Sequence, residues 1–328
     1  VLLLFDIQIP SIMAQFTVVI PLYNKAAEIR ATLNSVFAQT FSDFKVIVID
    51  DGSTDHGAQI VKEFTDTRLR LIGQKNQGVG PARNTGVKEA KSPFIAFLDA
   101  DDYWYPEHLE NLNALIHRFP QAQWMATAYE KAFTPNLIKP VDTPLRSFPQ
   151  GWQGAVPDYF AMAKKDAPAW TSALCFSKDF FQNLGGFDPA ITMGAGEDTD
   201  LWIRAALTQP MYWINSISAR HLQFSSNRVS HAPTLKRHFI DLDQYENRAQ
   251  DHKSLKIYLD LNRYSIGLKY QMAGDQRRAE SYFNTLDRSS LNALQRILIG
   301  LPGGVLRFGL SAQRLLAGFG LRLSAFGR

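Results

Sequence analysis

The 328-residue chain has a single cysteine, Cys175, so no intrachain disulfide can form and a reducing compartment is the natural setting. Flanked by Leu174 and Phe176, that thiol reads as a buried strand residue, not a nucleophile. No apolar run approaches the ~20 residues that a membrane-spanning helix needs. Residues 1–5 are apolar, but they lack the positive flank and small-residue cleavage site of a signal peptide. Met13-Ala14-Gln15 directly precedes the first strand pattern, so residues 1–12 are expected to lie upstream of the natural start. An excess of charge of one sign is also missing. The formal net charge is +4, too small to argue for a nucleic-acid partner. The hydrophobic share of 45% and charged share of 20% are those of an ordinary globular protein.

What positive charge there is collects at the end. Arg288, Arg296, Arg307, Arg314, Arg322 and Arg328 follow Asp287, the last acid, leaving the rest of the chain near neutral. Arg307, Arg314 and Arg322 fall within about 80° of one another on a helical wheel, opposite much of the leucine. A basic amphipathic stretch of this kind suits an anionic bilayer surface; the alternative is a helix packed on the protein with its arginines in water. Gly303-Gly304 after Pro302 divides the tail into two helical pieces.

Strand and helix patterns alternate from residue 16 to about residue 120. Strands are expected at 16–21, 45–50, 68–72 and 94–98, with helices between them near 26–39, 58–64 and 82–90 and a fourth over 106–119. The continuous apolar run Val46-Ile47-Val48-Ile49 is typical of a parallel strand buried on both faces. Alternation of this kind argues for an open, mostly parallel α/β sheet flanked by helices, with ligands beyond the carboxyl ends of the strands. Residues 121–165, irregular and proline-containing, read as loops. A second block follows, with a strand at 172–176, a turn at Gly185-Gly186-Phe187-Asp188 and a helix opening at Gly196-Glu197-Asp198. Beyond Arg220 the pattern is helical, with a hairpin over 254–286 broken at Gly274-Asp275 and packed through Tyr270, Ala273, Ala279 and Phe283.

The chemistry concentrates where strands end. Leu98-Asp99-Ala100-Asp101-Asp102 closes an apolar strand with three carboxylates and no neighbouring base in the sequence. In extended chain Asp99 and Asp101 project to one side, and a hard divalent cation is the natural occupant between them, shared with substrate phosphates. The alternative is a solvated turn. Gly78 through Gly86 fails as a dinucleotide fingerprint, because Arg83 stands where glycine is required. As a glycine-rich entry to a helix it suits a diphosphate, with Arg83 and Asn84 as donors.

Together with Pro21-Leu22-Tyr23-Asn24 and Asp50-Asp51-Gly52-Ser53-Thr54-Asp55, these motifs make residues 16–204 resemble a family 2 glycosyltransferase. Gly196-Glu197-Asp198-Thr199-Asp200-Leu201-Trp202 matches the acceptor side of that family. The resemblance implies a GT-A fold, with a Rossmann-like nucleotide-binding half (16–120), an acceptor half (121–230) and a helical C-terminal appendage (231–328), after an N-terminal extension (1–15). It implies inverting transfer from a nucleotide-diphosphate sugar, UDP being commonest in the family, to a glycan or lipid-linked acceptor in envelope or exopolysaccharide synthesis. Pro21, Tyr23 and Asn24 would line the nucleotide pocket with Tyr23 stacked on the base, and Asp51 would accept from the base edge. Gly78, Arg83, Asn84, Asp99 and Ala100 would lie on the donor. Asp101, with Asp99, would hold Mg²⁺ or Mn²⁺, and Asp198 would be the general base, although its place at a helix start also suits a cap. His221 stands where many relatives carry a histidine that meets metal or diphosphate; the alternative is a satisfied polar residue.

The expected setting is cytoplasmic, at the inner face of the plasma membrane if the tail binds lipid. Processive polysaccharide synthesis is disfavoured by the absence of a Gln-x-x-Arg-Trp motif, and sugar-1-phosphate nucleotidyl transfer by Pro21-Leu22-Tyr23-Asn24-Lys25 where a glycine-rich basic motif belongs. A non-catalytic sugar-nucleotide or glycan-binding protein is the further rival. Intact Asp51, Asp99, Asp101 and Asp198 speak against it.

Overall fold

A computed structural model describes residues 13–229 and 232–318. The extension 1–12 and the side chains of Arg314, Arg322 and Arg328 lie outside the described residues. In the first 120 residues the strands are β1 (Phe16–Leu22), β2 (Phe44–Asp50), β3 (Leu69–Gly73), β4 (Phe94–Phe97) and the short β5 (Tyr103–Trp104). Between and after them run α1 (Ile29–Phe37), α2 (Gly57–Lys62), α3 (Val79–Glu89) and α4 (His108–Arg118). The acceptor half adds β6 (Trp124–Thr134), β7 (Leu137–Pro140), β8 (Gln153–Ala155), α5 (Tyr159–Met162), β9 (Leu174–Ser177), α6 (Lys178–Asn183), α7 (Glu197–Ala206) and β10 (Tyr212–Leu222). Five α-helices complete the described residues: α8 (Glu246–Ala249), α9 (Lys253–Ala273), α10 (Gln276–Thr285), α11 (Ala293–Ile299) and α12 (Gly303–Gly318).

All ten strands of the described residues form one sheet in the order β3-β2-β1-β4-β9-β6-β10-β5, with β7 on β6 and β8 on β10. The order β3-β2-β1-β4 is parallel throughout. Period-2 alternation divides these strands between two cores. Val18, Ile20, Val46 and Val48 meet Leu33 of α1, Val61 of α2 and Leu112 of α4 on one face. Val19, Ile47 and Ile49 meet Val87 of α3 on the other, in a core that continues to Leu201 of α7 and Tyr258 of α9. Each such side chain contributes about 1.5–3 kcal/mol on full burial. Helix α3 approaches β1 so closely that a Cβ on Gly86 would meet Val19 Cγ1 at 2.3 Å; glycine there is a condition of the packing.

Beyond β4 the sheet is mixed, because β9 runs antiparallel to both β4 and β6, while β10 returns parallel to β6. Residues 121–165 are therefore not simply loops. Six residues of β6 from Trp124 to Tyr129 are buried on both faces, so no polar alternation marks the strand. Its alanines and methionine carry little strand preference. Strand β10 runs on to Leu222, and among the described residues only two 3-10 turns, Thr234–Lys236 and Asp243–Tyr245, precede the next α-helix at Glu246. The hairpin break at Gly274-Asp275 is as expected, with Gly274 at φ 85° capping α9 and the Asp275 side chain capping α10. Tyr270, Ala279 and Phe283 are buried, whereas Ala273 is exposed. Cys175 lies buried in β9, and burial pushes its thiol well up.

Candidate active site

The carboxyl ends of β1 and β2 are bound to each other by side chains that the motifs supply. Asn24 adopts a positive φ of 51°, a region asparagine tolerates better than most residues. From there its Oδ1 accepts from the Thr54 and Asp55 backbone N–H groups at 2.7 and 3.3 Å. Asp51 is buried and accepts from Gln74 Nε2 (2.7 Å), the Gln77 N–H (3.0 Å) and the Gly78 N–H (2.8 Å). Both residues thus brace the rim. Pro21 is buried within β1, while Tyr23 is 42% exposed at the rim.

Strand β4 stops at Phe97, so residues 99–102 form a turn closed by the Asp102 N–H on the Asp99 carbonyl at 3.0 Å. The carboxylates do not share a face of an extended strand, nor do they lack cations. Arg83 Nη2 donates to Asp99 Oδ1 at 2.6 Å, and Lys25 Nζ donates to Asp101 Oδ2 at 2.6 Å. Neither cation is near this turn in sequence; α3 brings Arg83 and the β1–α1 segment brings Lys25. Ser225 Oγ adds a bond to Asp101 Oδ2 at 2.5 Å. Asp99 Oδ2 and Asp101 Oδ1 accept no hydrogen bond among the described residues, leaving one hard oxygen on each. Burial, and then the Asp101 carboxylate, push Asp99 upward against the pull of Arg83. The neighbouring Asp102, fully enclosed, is pushed well up by burial and by Asp101 and Asp99. The Ala100 carbonyl accepts from Thr32 Oγ1 at 2.9 Å.

Arg83 is only 3% exposed and reaches further. Its Nη1 donates to Asp198 Oδ1 at 3.0 Å, and its guanidinium lies 5.0 Å from the Phe187 ring centre. Burial opposes the charge, but Asp99 and Asp198 outweigh it and hold Arg83 protonated. Asp198 does not cap α7: the N-cap is Gly196, and Asp198 Oδ2 instead accepts from Thr171 Oγ1 at 2.6 Å. Glu197 beside it is buried, and burial and Asp198 push its carboxyl upward. Asn84 is taken up elsewhere. Its Nδ2 donates to the Phe187 carbonyl at 2.8 Å, and its Oδ1 accepts from the Phe187 N–H at 2.9 Å. That clamp needs Gly186, at φ 70°, whose Cβ would meet Asn84 Oδ1 at 2.7 Å.

His221 stacks on Trp170 at 3.9 Å and faces Arg228 Nη2 across 3.2 Å from its Nε2. Burial first, then Arg228 and Lys131, lower it well below the usual histidine range. Among the described residues no group of three His, Cys, Asp or Glu side chains is placed to hold a metal ion, so His221 does not complete a ligand set with Asp99 and Asp101. The segment after β10 crosses the rim instead. Glu28 accepts from the Ser226 N–H at 2.8 Å, Asn227 Nδ2 donates to the Tyr23 carbonyl at 3.2 Å, and Lys25 also bonds the Ser226 carbonyl.

Residues 17–168 match the family model Glycosyl transferase family 2. The chain carries a family 2 glycosyltransferase domain. Over 114 residues it is 49% identical to the succinoglycan biosynthesis protein ExoW of Rhizobium meliloti (strain 1021), a match covering 33% of this chain and 35% of that relative. Over 100 residues it is 39% identical to the uncharacterized glycosyltransferase YibD of Escherichia coli (strain K12), covering 30% of this chain and 29% of the relative. The chain spans about a third of the length of these relatives. Among solved structures, S. aureus TarS 1–349 shares the fold with a TM-score of 0.54 at 18% identity, over 83% of this chain and 90% of that one.

Four side chains that hold this glycosyltransferase site together were not singled out by the sequence. Lys25, Thr171, Ser172 and Ser225 sit outside the acidic motifs, and their partners are 27 to 124 residues away. Lys25 had a local signal, since it directly follows Pro21-Leu22-Tyr23-Asn24. The hydroxyls had none.

Proposed function

We propose that the chain is an inverting glycosyltransferase that moves a sugar from a nucleotide-diphosphate sugar, UDP being the first nucleotide to try, to a hydroxyl of a glycan or lipid-linked acceptor in envelope or exopolysaccharide synthesis. One observation carries this reading. The Arg83 guanidinium touches both Asp99 of the donor turn and Asp198 at the head of α7, so a carboxylate able to take a proton stands one guanidinium away from carboxylates that could meet a diphosphate through a divalent cation. Asp198 would accept the proton of the attacking hydroxyl, a role typically worth 10²–10⁴-fold. With no second acid required on a diphosphate leaving group, attack from the face of that base inverts the anomeric carbon. ExoW, named for succinoglycan biosynthesis, supports a polysaccharide acceptor, and TarS 1–349, solved in complex with UDP-GlcNAc, makes that donor the first probe.

The free oxygens of Asp99 and Asp101 fit a hard divalent cation, Mg²⁺ or Mn²⁺, with substrate phosphates completing its shell. Such an ion supplies charge that offsets the leaving diphosphate. Lys25, on the other oxygen of Asp101, orients that carboxylate.

Peripheral membrane attachment of the C-terminal helices is the second part of the reading. No described helix is long and apolar enough to cross a membrane, yet α11 and α12 expose Leu294, Ile297, Val305 and Phe308, the last at 77%, beside Arg296. Replacing both Ile297 and Phe308 by Glu should abolish sedimentation with phosphatidylglycerol vesicles; unchanged sedimentation would refute attachment.

The donor site is tested by melting the protein with UDP, GDP, dTDP or CDP, with and without Mn²⁺. A ligand at 100 times its dissociation constant adds ~2.7 kcal/mol, and a shift with one nucleotide that requires Mn²⁺ is the expected result. No shift with any of them would overturn the reading.

A further inference from the structure

A short 3-10 turn, Thr171–Ala173, leads into β9 between the two carboxylate motifs. Its first two side chains are both fully buried and point to opposite ends of the site. Thr171 Oγ1 donates to Asp198 Oδ2 at 2.6 Å. Ser172 Oγ donates to Asp102 Oδ2 at 2.5 Å and accepts from the Asp99 N–H at 3.1 Å. The turn itself is held firmly. The Ser172 carbonyl accepts from Trp104 Nε1 at 2.5 Å, and β9 is paired on both sides, with β4 through Ala96 and Cys175 and with β6 through Met125 and Cys175.

We propose that Thr171 and Ser172 are positioning residues that set the distance and angle between the base and the donor turn, Thr171 acting on turnover through Asp198 and Ser172 on donor binding through Asp99 and Asp102. This rests on the reading of Asp198 as the base. Asp198 has two anchors on opposite oxygens, Arg83 and Thr171. Two bonds fix the plane of a carboxylate where one leaves it free to rotate. Its side chain remains 30% exposed, so an incoming hydroxyl can reach it. Branching at Cβ restricts χ1 of Thr171, which limits the directions in which its hydroxyl can point. Hydroxyl-to-carboxylate bonds are among the stronger ones because the acceptor is charged. Both hydroxyls lie on one rigid peptide, so neither motif can shift against the other without breaking one of them. Misplacement of a reacting group by as little as an ångström can cost about 100-fold in rate.

The experiment compares wild type, Thr171→Val, Thr171→Ser, Ser172→Ala and Asp198→Asn. Hydrolytic UDP release, with water standing in for the acceptor hydroxyl, is followed from UDP-glucose, UDP-galactose and UDP-GlcNAc with Mn²⁺, and UDP affinity is measured separately by calorimetry with Mn²⁺. Thr171→Val, which preserves shape, should lower kcat about 10- to 100-fold with UDP affinity within twofold of wild type. Thr171→Ser, which keeps the hydroxyl, should recover most of that loss. Ser172→Ala should show the crossed pattern, with KM raised and UDP affinity lowered about 10-fold and the smaller effect on kcat. Retained UDP affinity in Thr171→Val excludes misfolding as the cause of its loss. Wild-type kcat in Thr171→Val, or equal damage to kcat and UDP affinity in both variants, would overturn the proposal while leaving the base assignment standing. Undiminished turnover in Asp198→Asn would overturn the base assignment and this inference with it; no UDP release by wild type from any of the three donors, together with no melting shift by any of the four nucleotides, would overturn the transferase reading as well.

Discussion

In the nucleotide half, the polar residues of the site are tied between loops that follow adjacent parallel strands. Asn24 after β1 holds Thr54 after β2, and Asp51 after β2 holds Gly78 after β3. In the acceptor half the ties run across the molecule. Thr171 before β9 holds Asp198 on α7, Arg83 on α3 holds the same carboxylate, and the Leu222 N–H at the end of β10 bonds Asp102 Oδ1 at 3.1 Å. The first half is a local device, built by repetition of strand, loop and helix. The second is a clamp whose geometry exists only once the sheet has closed, and it reaches back into the first half through Arg83 and Ser172.

The sharpest way to break that division is Asp198→Asn. Transfer should fall by about 10²–10⁴-fold, while the UDP-dependent melting shift is kept, because Asp198 belongs to the acceptor half. Loss of both together would show that the halves are not separable. Arg83→Met strikes the link between them. It leaves Asp99 and Asp198 without their shared, nearly fully buried cation, and removing one partner of such a pair costs about 3–5 kcal/mol. Urea unfolding should report that loss, and UDP binding and transfer should fail together. Stability within 1 kcal/mol of wild type would mean that the link is dispensable.

A smaller effect tests how dry the joint between the halves is. His108 on α4 stacks on Trp104 at 4.3 Å and contacts Ser218 Oγ of β10 at 2.9 Å through its Nδ1. Burial lowers it from 6.5 to about 3. A depressed histidine contributes stability that is present above its unfolded value and is lost as pH falls toward the folded one. Between these limits the unfolded chain holds one more proton, so stability drops by about 1.4 kcal/mol per pH unit from this group. His108→Gln should therefore flatten the wild-type slope of unfolding free energy between pH 6 and 4.5. An identical slope would place His108 in contact with water and the joint open to solvent.

The different wiring of the halves explains what could be read in advance. The parallel strands β1 to β4 announce themselves by runs such as Val46-Ile47-Val48-Ile49, and their loops by Asp51-Gly52 and Gly78. Strand β6 was hidden, since burial of both faces from Trp124 to Tyr129 erased the alternation that marks a strand. The acidic motifs were legible as residue types, but their partners were not. Lys25 on Asp101 and Arg83 on Asp99 gave the donor turn the positive charge its own sequence lacks. Asn84, a donor-side residue by motif, was drawn away to Phe187 by the tight turn at Gly186.

By itself the sequence determined the alternating architecture of the nucleotide half, the chemistry-bearing carboxylates and the hairpin of α9 and α10, because these follow from local periodicity, capping and turn chemistry. Only the tertiary structure decided which cation meets which carboxylate, and that Asp198 is anchored by Thr171 and Arg83 and is not a helix cap. Those pairings span 76 residues between Lys25 and Asp101 and 115 between Arg83 and Asp198. Hydrogen bonds act over about 3 Å, so separations of that length acquire meaning only when the packed sheet brings their ends together.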